Sequence, residues 1–222
     1  MAAGKFITFE GGEGSGKSTQ ASLLALSLSK QGLEALLTRE PGGSPFAERL
    51  RALLLDPMTE PHAALAEALV FYAARADHLE RVIRPALAAG RWVLSDRFSD
   101  STRVYQGLAG SLDRKSIDAL EALVVGATMP QLTIIIDVPA EVGLARAAVR
   151  RTATPAPARA GTIADRFEGR DIAFHRRLRQ GFLDIARDDP KRCVVVDGLK
   201  SREEIAATVW AAVAARFLAG AD

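Results

Sequence analysis

"FEGGEGSGKSTQ", residues 9–20, places four glycines between positions 11 and 16 and follows them with a lysine and two hydroxyl residues. Each glycine inside a helix costs about 1 kcal/mol relative to alanine, so the stretch must need glycine for another reason. Residues 11–18 match the pattern G-x-x-x-x-G-K-[ST]. The apolar run "KFITFE" (5–10) before them reads as a strand, and "STQASLLALSLSKQG" (18–32) after them carries helical spacing. That context turns a glycine-rich turn into a phosphate cradle: the backbone curls until successive N–H groups converge on phosphate oxygens, and the helix N-terminus adds partial positive charge. Gly11, Gly12, Glu13, Gly14, Ser15, Gly16, Lys17, Ser18 and Thr19 are therefore expected to hold a nucleotide's phosphates. Lys17 would reach the β- and γ-phosphates and the Ser18 hydroxyl would bind Mg²⁺.

Beyond this loop, short apolar runs alternate with longer helical ones. Residues 34–40, 91–96, 132–138 and 192–197 join 5–10 as expected strands, and their near-continuous apolar character fits a parallel sheet buried on both faces. Residues 62–90, 114–126 and 140–151 have helical spacing, with Gly32 and Gly90 where helix C-termini are expected. The alternation implies an α/β fold: one domain over residues 1–222, a doubly wound five-stranded parallel sheet flanked by helices. The Ala-rich stretch 205–220 reads as a helix packed on the core, too short and too charged to span a bilayer.

The 222 residues are 48% hydrophobic and 25% charged, the proportions of a globular chain with ample core. A formal net charge of +2 makes no strong field, so nucleic acid is not an expected partner. Cys193, the single cysteine, lies in the apolar run "RCVVVD" and reads as a buried structural thiol. With no internal disulfide to form and no N-terminal apolar stretch long enough for a signal peptide, a cytoplasmic location without membrane association is expected.

A P-loop alone does not choose between kinases, GTPases, motors and nucleotide-dependent switches. GTPases read guanine with N-K-x-D, and the tetrapeptide is absent. "WVLSDR" (92–97) ends a buried strand with Asp96 and Arg97, beside the place where a P-loop must lie. Asp96 would hold Mg²⁺ through water and Arg97 a second anion, unless the two simply pair with each other. Phe71 and Arg75 lie four apart on one helical face, either as core or as a stacking ring beside a phosphate-binding arginine. Residues 150–167, rich in Pro, Ala, Thr and Gly, cannot build a core, yet Arg146, Arg150, Arg151, Arg159 and Arg166 lie in or near them. The segment is a solvated loop or a lid over an anionic ligand.

Seven stretches in order resemble the bacterial thymidylate kinase family: "FEGGEGSGKST", "TREPGGS", "LRALLLD", "FYAARADH", "WVLSDRFSDSTRVYQG", "PQLTIIIDVPAEVGLAR" and "DRFEG". The resemblance implies a P-loop nucleoside-monophosphate-kinase fold, usually a homodimer, that transfers a phosphoryl group from Mg·ATP to dTMP. A kinase for another small acceptor is the nearest alternative. By matching position, Phe71 stacks on thymine, Thr102 bonds the base edge, and Arg75 and Arg97 hold the acceptor's phosphate. Tyr105 lies under the sugar where it crowds a ribose 2′-hydroxyl, Gln106 follows near the base or sugar, and Glu13 faces the 3′-hydroxyl. Ser101 belongs to the same acceptor group, Arg51 lies near the phosphates, and Asp165 and Glu168 are acids at the base of the lid. Some members carry an arginine in the P-loop directly after the acidic residue, where this chain has Gly14. The missing cation is then expected from Arg150 or Arg151, with Arg146 and Arg159 behind them. Lys17, Arg97, Arg150 and Arg151 form the expected catalytic set.

Overall fold

The structure, a computed structural model, describes residues 4–60, 62–153 and 166–218. The described residues contain five parallel strands: β1 (Phe6–Glu10), β2 (Ala35–Arg39), β3 (Trp92–Asp96), β4 (Leu132–Asp137) and β5 (Cys193–Asp197), in the spatial order β2-β3-β1-β4-β5. Each strand lies within one or two residues of its expected span. β1, β3 and β4 are buried nearly throughout, as their unbroken apolar sequences require, whereas the edge strands β2 and β5 expose Leu37 and Val195.

The pleat sorts the central strands. Ile7, Phe9, Leu94, Ile134 and Ile136 face one layer, where α1 (Lys17–Lys30) and α9 (Arg202–Phe217) supply Leu24, Leu28, Val209 and Val213. Phe6, Val93 and Ile135 face the opposite layer. There the chain adds α2 (Pro45–Leu55), α3 (Ala64–His78), α4 (Arg84–Ala88), α5 (Ser99–Thr102), α6 (Arg114–Val124) and α8 (Ile172–Asp188), while α7 (Ala140–Ala153) packs Val142 against the first layer. Gly32 and Gly90 follow helices with φ of 73° and 77°, the left-handed C-terminal conformation that their positions implied.

The helical run expected over 62–90 is interrupted by a π-helical turn at Leu79–Ile83, joining α3 to α4. Pro85 is the cause: it has no N–H to give back to Arg81, and its ring needs the wider turn. A second π-helical turn, Arg103–Leu108, carries Tyr105 and Gln106. α2 and α8 have clear start signals: Ser44 caps α2 ahead of Pro45, and the Asp171 side chain accepts from Phe174 N at 2.6 Å. α9 begins with a complete capping box, Ser201 with Glu204. Cys193 is buried against the second layer, and burial pushes its thiol up to about 12, so it is inert as expected. No helix among the described residues is long and apolar enough to cross a membrane.

Candidate functional site

The loop after β1 curls at the sheet's C-terminal edge and delivers the chain into α1. Lys17 folds back over it, donating from Nζ to Gly12 O at 2.7 Å, with longer contacts to Gly11 O and Ser15 Oγ at 3.3 Å. Burial lowers its ammonium to about 8, with Arg97 adding repulsion and Asp96 and Glu13 opposing the shift. A bound phosphate would supply the missing counter-charge, so the loop waits with a cation already desolvated. Ser18 Oγ donates a short hydrogen bond to Asp96 Oδ2 across the β1–β3 edge. A hydroxyl and a carboxylate are hard oxygen donors, and two of them suit Mg²⁺, which keeps waters and phosphate oxygens as its other ligands. The described residues therefore fit the expected metal at Ser18 and Asp96.

Gly14 sits at φ 62°, and a Cβ there would lie 2.0 Å from Gly143 O of α7. A Cβ on Gly143 would in turn meet Glu13 O at 2.3 Å. The P-loop and the helix leading to the lid thus touch backbone to backbone, and no side chain fits at position 14. An arginine there is excluded by this packing.

Among the described residues Arg97 is the non-glycine residue at positive φ, 72°, immediately after β3. The turn is over-determined around it: Ser95 Oγ donates to its carbonyl at 2.7 Å, and the buried Glu10 carboxylate accepts from Phe98 N at 2.8 Å and Ser101 Oγ at 2.6 Å. Its guanidinium meets Glu13 Oε1 at 2.7 Å, donates to Gly11 O and Ser101 Oγ at 3.1 Å each, and lies over the Tyr105 ring at 5.0 Å. Arg97 therefore pairs with Glu13 and not with its neighbour Asp96. Tyr105 Oη donates to the same Glu13 oxygen at 2.6 Å. Burial pushes the Glu13 carboxyl up, but Arg97, Lys17 and the Tyr105 hydroxyl outweigh it and hold it near 2. Glu10 goes the other way: burial and the nearby Asp100 raise it to about 7 despite Arg97 and the donors of Ser101 and Phe98.

Facing this cluster, α3 presents Phe71 and Arg75. Phe71 is near Phe167, ring centroids 6.1 Å apart, and Phe167 lies edge-on to Tyr105 at 5.6 Å. Arg75 is buried between the Tyr72 and Phe98 rings. It donates to Glu40 Oε2 at 2.7 Å and to Phe98 O and Thr102 Oγ1 at 3.1 Å each. Its Nη1 finds no partner among the described residues. Gln106 donates to Glu67 at 2.8 Å and Arg51 to Pro41 O at 2.7 Å.

These groups line one cavity of about 430 Å³, a size that suits a small ligand. It contains the P-loop from Glu13 to Thr19, Arg51, Phe71, Arg75, Asp96, Arg97, Ser101, Thr102, Tyr105, Gln106, Arg150 and Glu168. Gly11 and Gly12 form the loop beneath it. Arg151 pairs with Glu168 from outside the lining, while Arg150 meets the other oxygen of Glu168 at 3.4 Å. Arg146 donates to Gly198 O at 2.9 Å and does not line the cavity. Asp165, Arg159 and residues 154–165 as a whole lie outside the described residues. Sequence reasoning missed Glu10, Glu40 and Phe167. Glu10 ends the buried β1 as Asp96 ends β3, so the rule that singled out Asp96 applies equally to it, whereas Glu40 follows the half-exposed edge strand β2.

A P-loop floor and a second cationic pocket sharing one cavity on a parallel sheet of order β2-β3-β1-β4-β5 define a P-loop nucleotide kinase. The sequence matches the profile of the thymidylate kinase family over residues 9–209. It is 53% identical over 215 residues to a thymidylate kinase of Nitrobacter hamburgensis, covering 97% of this chain and 90% of that protein. It is 54% identical over 215 residues to a thymidylate kinase of Nitrobacter winogradskyi, with the same coverage. The crystal structure of thymidylate kinase from Ehrlichia chaffeensis superposes with a TM-score of 0.73 at 34% identity, over 95% of this chain and 99% of that one. The chain belongs to the thymidylate kinase family.

Proposed function

We infer that this chain transfers the terminal phosphoryl group of ATP to dTMP, giving dTDP and ADP. The observation that carries this reading is the shared cavity: a P-loop suited to the donor's phosphates opens onto a wall that includes Arg75 and Arg97, two cations beside the place of a second phosphate. A phosphate oxygen of the acceptor attacks the γ-phosphorus. The bond from that phosphorus to the β–γ bridging oxygen breaks, and its electron pair leaves with ADP. Little of this requires protein covalent chemistry, so positioning and charge neutralisation decide the rate.

Lys17 leaves its contacts with Gly11 and Gly12 for the β- and γ-phosphates. Ser18 and Asp96 would hold Mg²⁺, which would neutralise charge on the phosphate oxygens. Arg97 and Arg75 grip the acceptor's phosphate, and Phe71 stacks on its base above Thr102. Tyr105 and Glu13 floor the sugar, the ring filling the space of a 2′-hydroxyl. Arg150, in the cavity wall, and Arg151 bring cationic charge toward the transferring group once released from Glu168. Closing over the site also excludes water that would otherwise hydrolyse ATP.

Residues 1–222 act as one domain in this reading, and the working unit is a homodimer. In support, α2, α3 and α6 pack side by side and expose Phe46, Leu53, Leu65, Leu69 and Leu123. The lone, inert cysteine agrees with a reducing cytoplasm. The test is ADP release from ATP in the presence of dTMP, dUMP, CMP, AMP or GMP. Strong stimulation by dTMP and little by CMP, AMP or GMP is expected. A larger response to any of those three would point to another acceptor, and none at all to a nucleotide switch.

A further inference from the structure

Arg75 is held by a partner that is itself held. Glu40 gives one carboxylate oxygen to Arg75 Nε at 2.7 Å and the other to His78 Nδ1 at 3.0 Å. His78 is fully buried, and its remaining nitrogen, Nε2, meets Thr38 Oγ1 at 2.6 Å. An ionised carboxylate only accepts, so Nδ1 donates to Glu40, while Nε2 and the Thr38 hydroxyl share the second hydrogen bond. The imidazole therefore bridges the C-terminal end of β2 to α3. The following loop closes on it: a Cβ at Gly43 would lie 2.3 Å from His78 Nε2. Next to it, Ser44 Oγ donates to Asp77 Oδ2 at 2.5 Å. The loop that carries Glu40 and Pro41 into the cavity wall is thus fastened to the last turn of α3 by two adjacent residues.

We propose that His78 is a positioning residue for the acceptor's phosphate, acting through Glu40 on Arg75. The proposal rests on the reading of Arg75 as a phosphate-binding group. With Nε bound to Glu40, one terminal nitrogen bound to Phe98 O and Thr102, and rings on both sides, only Nη1 is left for a ligand. Its direction is set by the carboxylate that His78 holds in place. Remove the imidazole, and Glu40 keeps its charge but loses one of its two anchors, so Arg75 and Glu40 are free to rotate together.

The experiment measures KM for dTMP, KM for ATP and kcat for His78→Ala, His78→Asn and His78→Gln, with folding followed by circular dichroism. Asparagine retains a donor where Nδ1 stands, and glutamine retains a polar group where Nε2 stands. His78→Ala is expected to raise KM for dTMP by about tenfold or more while leaving KM for ATP within about twofold, an effect typical of losing an outer-shell partner. Asparagine should recover most of the loss and glutamine little of it. The same change made on top of Arg75→Ala should leave KM for dTMP within about twofold of the single Arg75→Ala variant, because no guanidinium remains to be aimed. Equal rises in both KM values, rescue by glutamine as good as by asparagine, or additive losses in the double variant would overturn the proposal. If His78→Ala does not fold, the asparagine and glutamine variants carry the same comparison. Arg75→Ala alone separates the two readings: an unchanged KM for dTMP would refute the phosphate role of Arg75. A raised KM there with normal His78 variants would refute only the proposal about His78.

Discussion

The two halves of the cavity are built by opposite means. The donor half is nearly all backbone and nearly contiguous: residues 11–19 supply its N–H groups, its lysine and its hydroxyl. The acceptor half is nearly all side chain. Arg75 meets Glu40 across 35 positions of sequence, Arg97 meets Glu13 across 84, and Tyr105 meets Glu13 across 92. A backbone cradle reads any polyphosphate and owes its shape to glycine. A lattice of buried ion pairs reads one ligand and owes its shape to partners held by other partners. Changes in the donor half should therefore cost rate, and changes in the acceptor half should cost selective affinity.

Lys17→Ala gives the largest expected effect. It removes the cation that follows the transferring charge, and kcat should fall by ~10² to 10³ with the fold intact. Steady-state kinetics with circular dichroism checks this, and a variant retaining a tenth of wild-type kcat would break the contrast on its donor side.

Next comes the α7 end of the site. Replacing Arg150 and Arg151 together by alanine should lower kcat by ~10² or more and leave dTMP affinity nearly unchanged, because in the proposed reaction their charge acts on the transition state. Adding Gly14→Arg to that variant should restore nothing, since a Cβ at position 14 meets Gly143 O at 2.0 Å. Recovery of activity would show that the P-loop and α7 separate more readily than their backbone contact implies.

Glu10 sharpens the comparison through pH. It is the buried carboxylate that fastens the Arg97 turn, raised from 4.5 to about 7 chiefly by burial. A folded-state value above the unfolded one means that its contribution to stability is fully present below about pH 4.5 and is lost as pH rises through about 7. The span from 4.5 to about 7 corresponds to roughly 3 kcal/mol. Measured by urea unfolding, wild type should lose stability relative to Glu10→Gln between pH 5 and pH 8. A difference that stays constant with pH would show that Glu10 titrates as it does in the unfolded chain.

The same contrast explains what could be read in advance. The P-loop, the five strands and Asp96 and Arg97 were legible because their signals are local: glycine spacing, unbroken apolar runs, a carboxylate at a strand's end. Helical spacing singled out Phe71 and Arg75, and resemblance to a family chose their reading and brought in Thr102 and Tyr105, yet neither showed what holds them. Glu40 and His78 lie inside "TREPGGS" and "FYAARADH" and show no sign in those strings that they meet. Their pairing follows from the packing of the β2–α2 loop on α3, which no periodicity encodes. The π-helical turn at Leu79–Ile83 was similarly hidden, although Pro85 marks it once the register is known.

Isothermal titration of dTMP and of ATP, each alone, against Arg75→Ala and Lys17→Ala tests the division between the halves most directly. Arg75→Ala should lose dTMP affinity by about tenfold or more, as expected for removing a buried charge partner, while ATP affinity stays within about twofold. Lys17→Ala should weaken ATP and leave dTMP largely unchanged. Equal losses for both nucleotides in either variant would contradict two separately built halves.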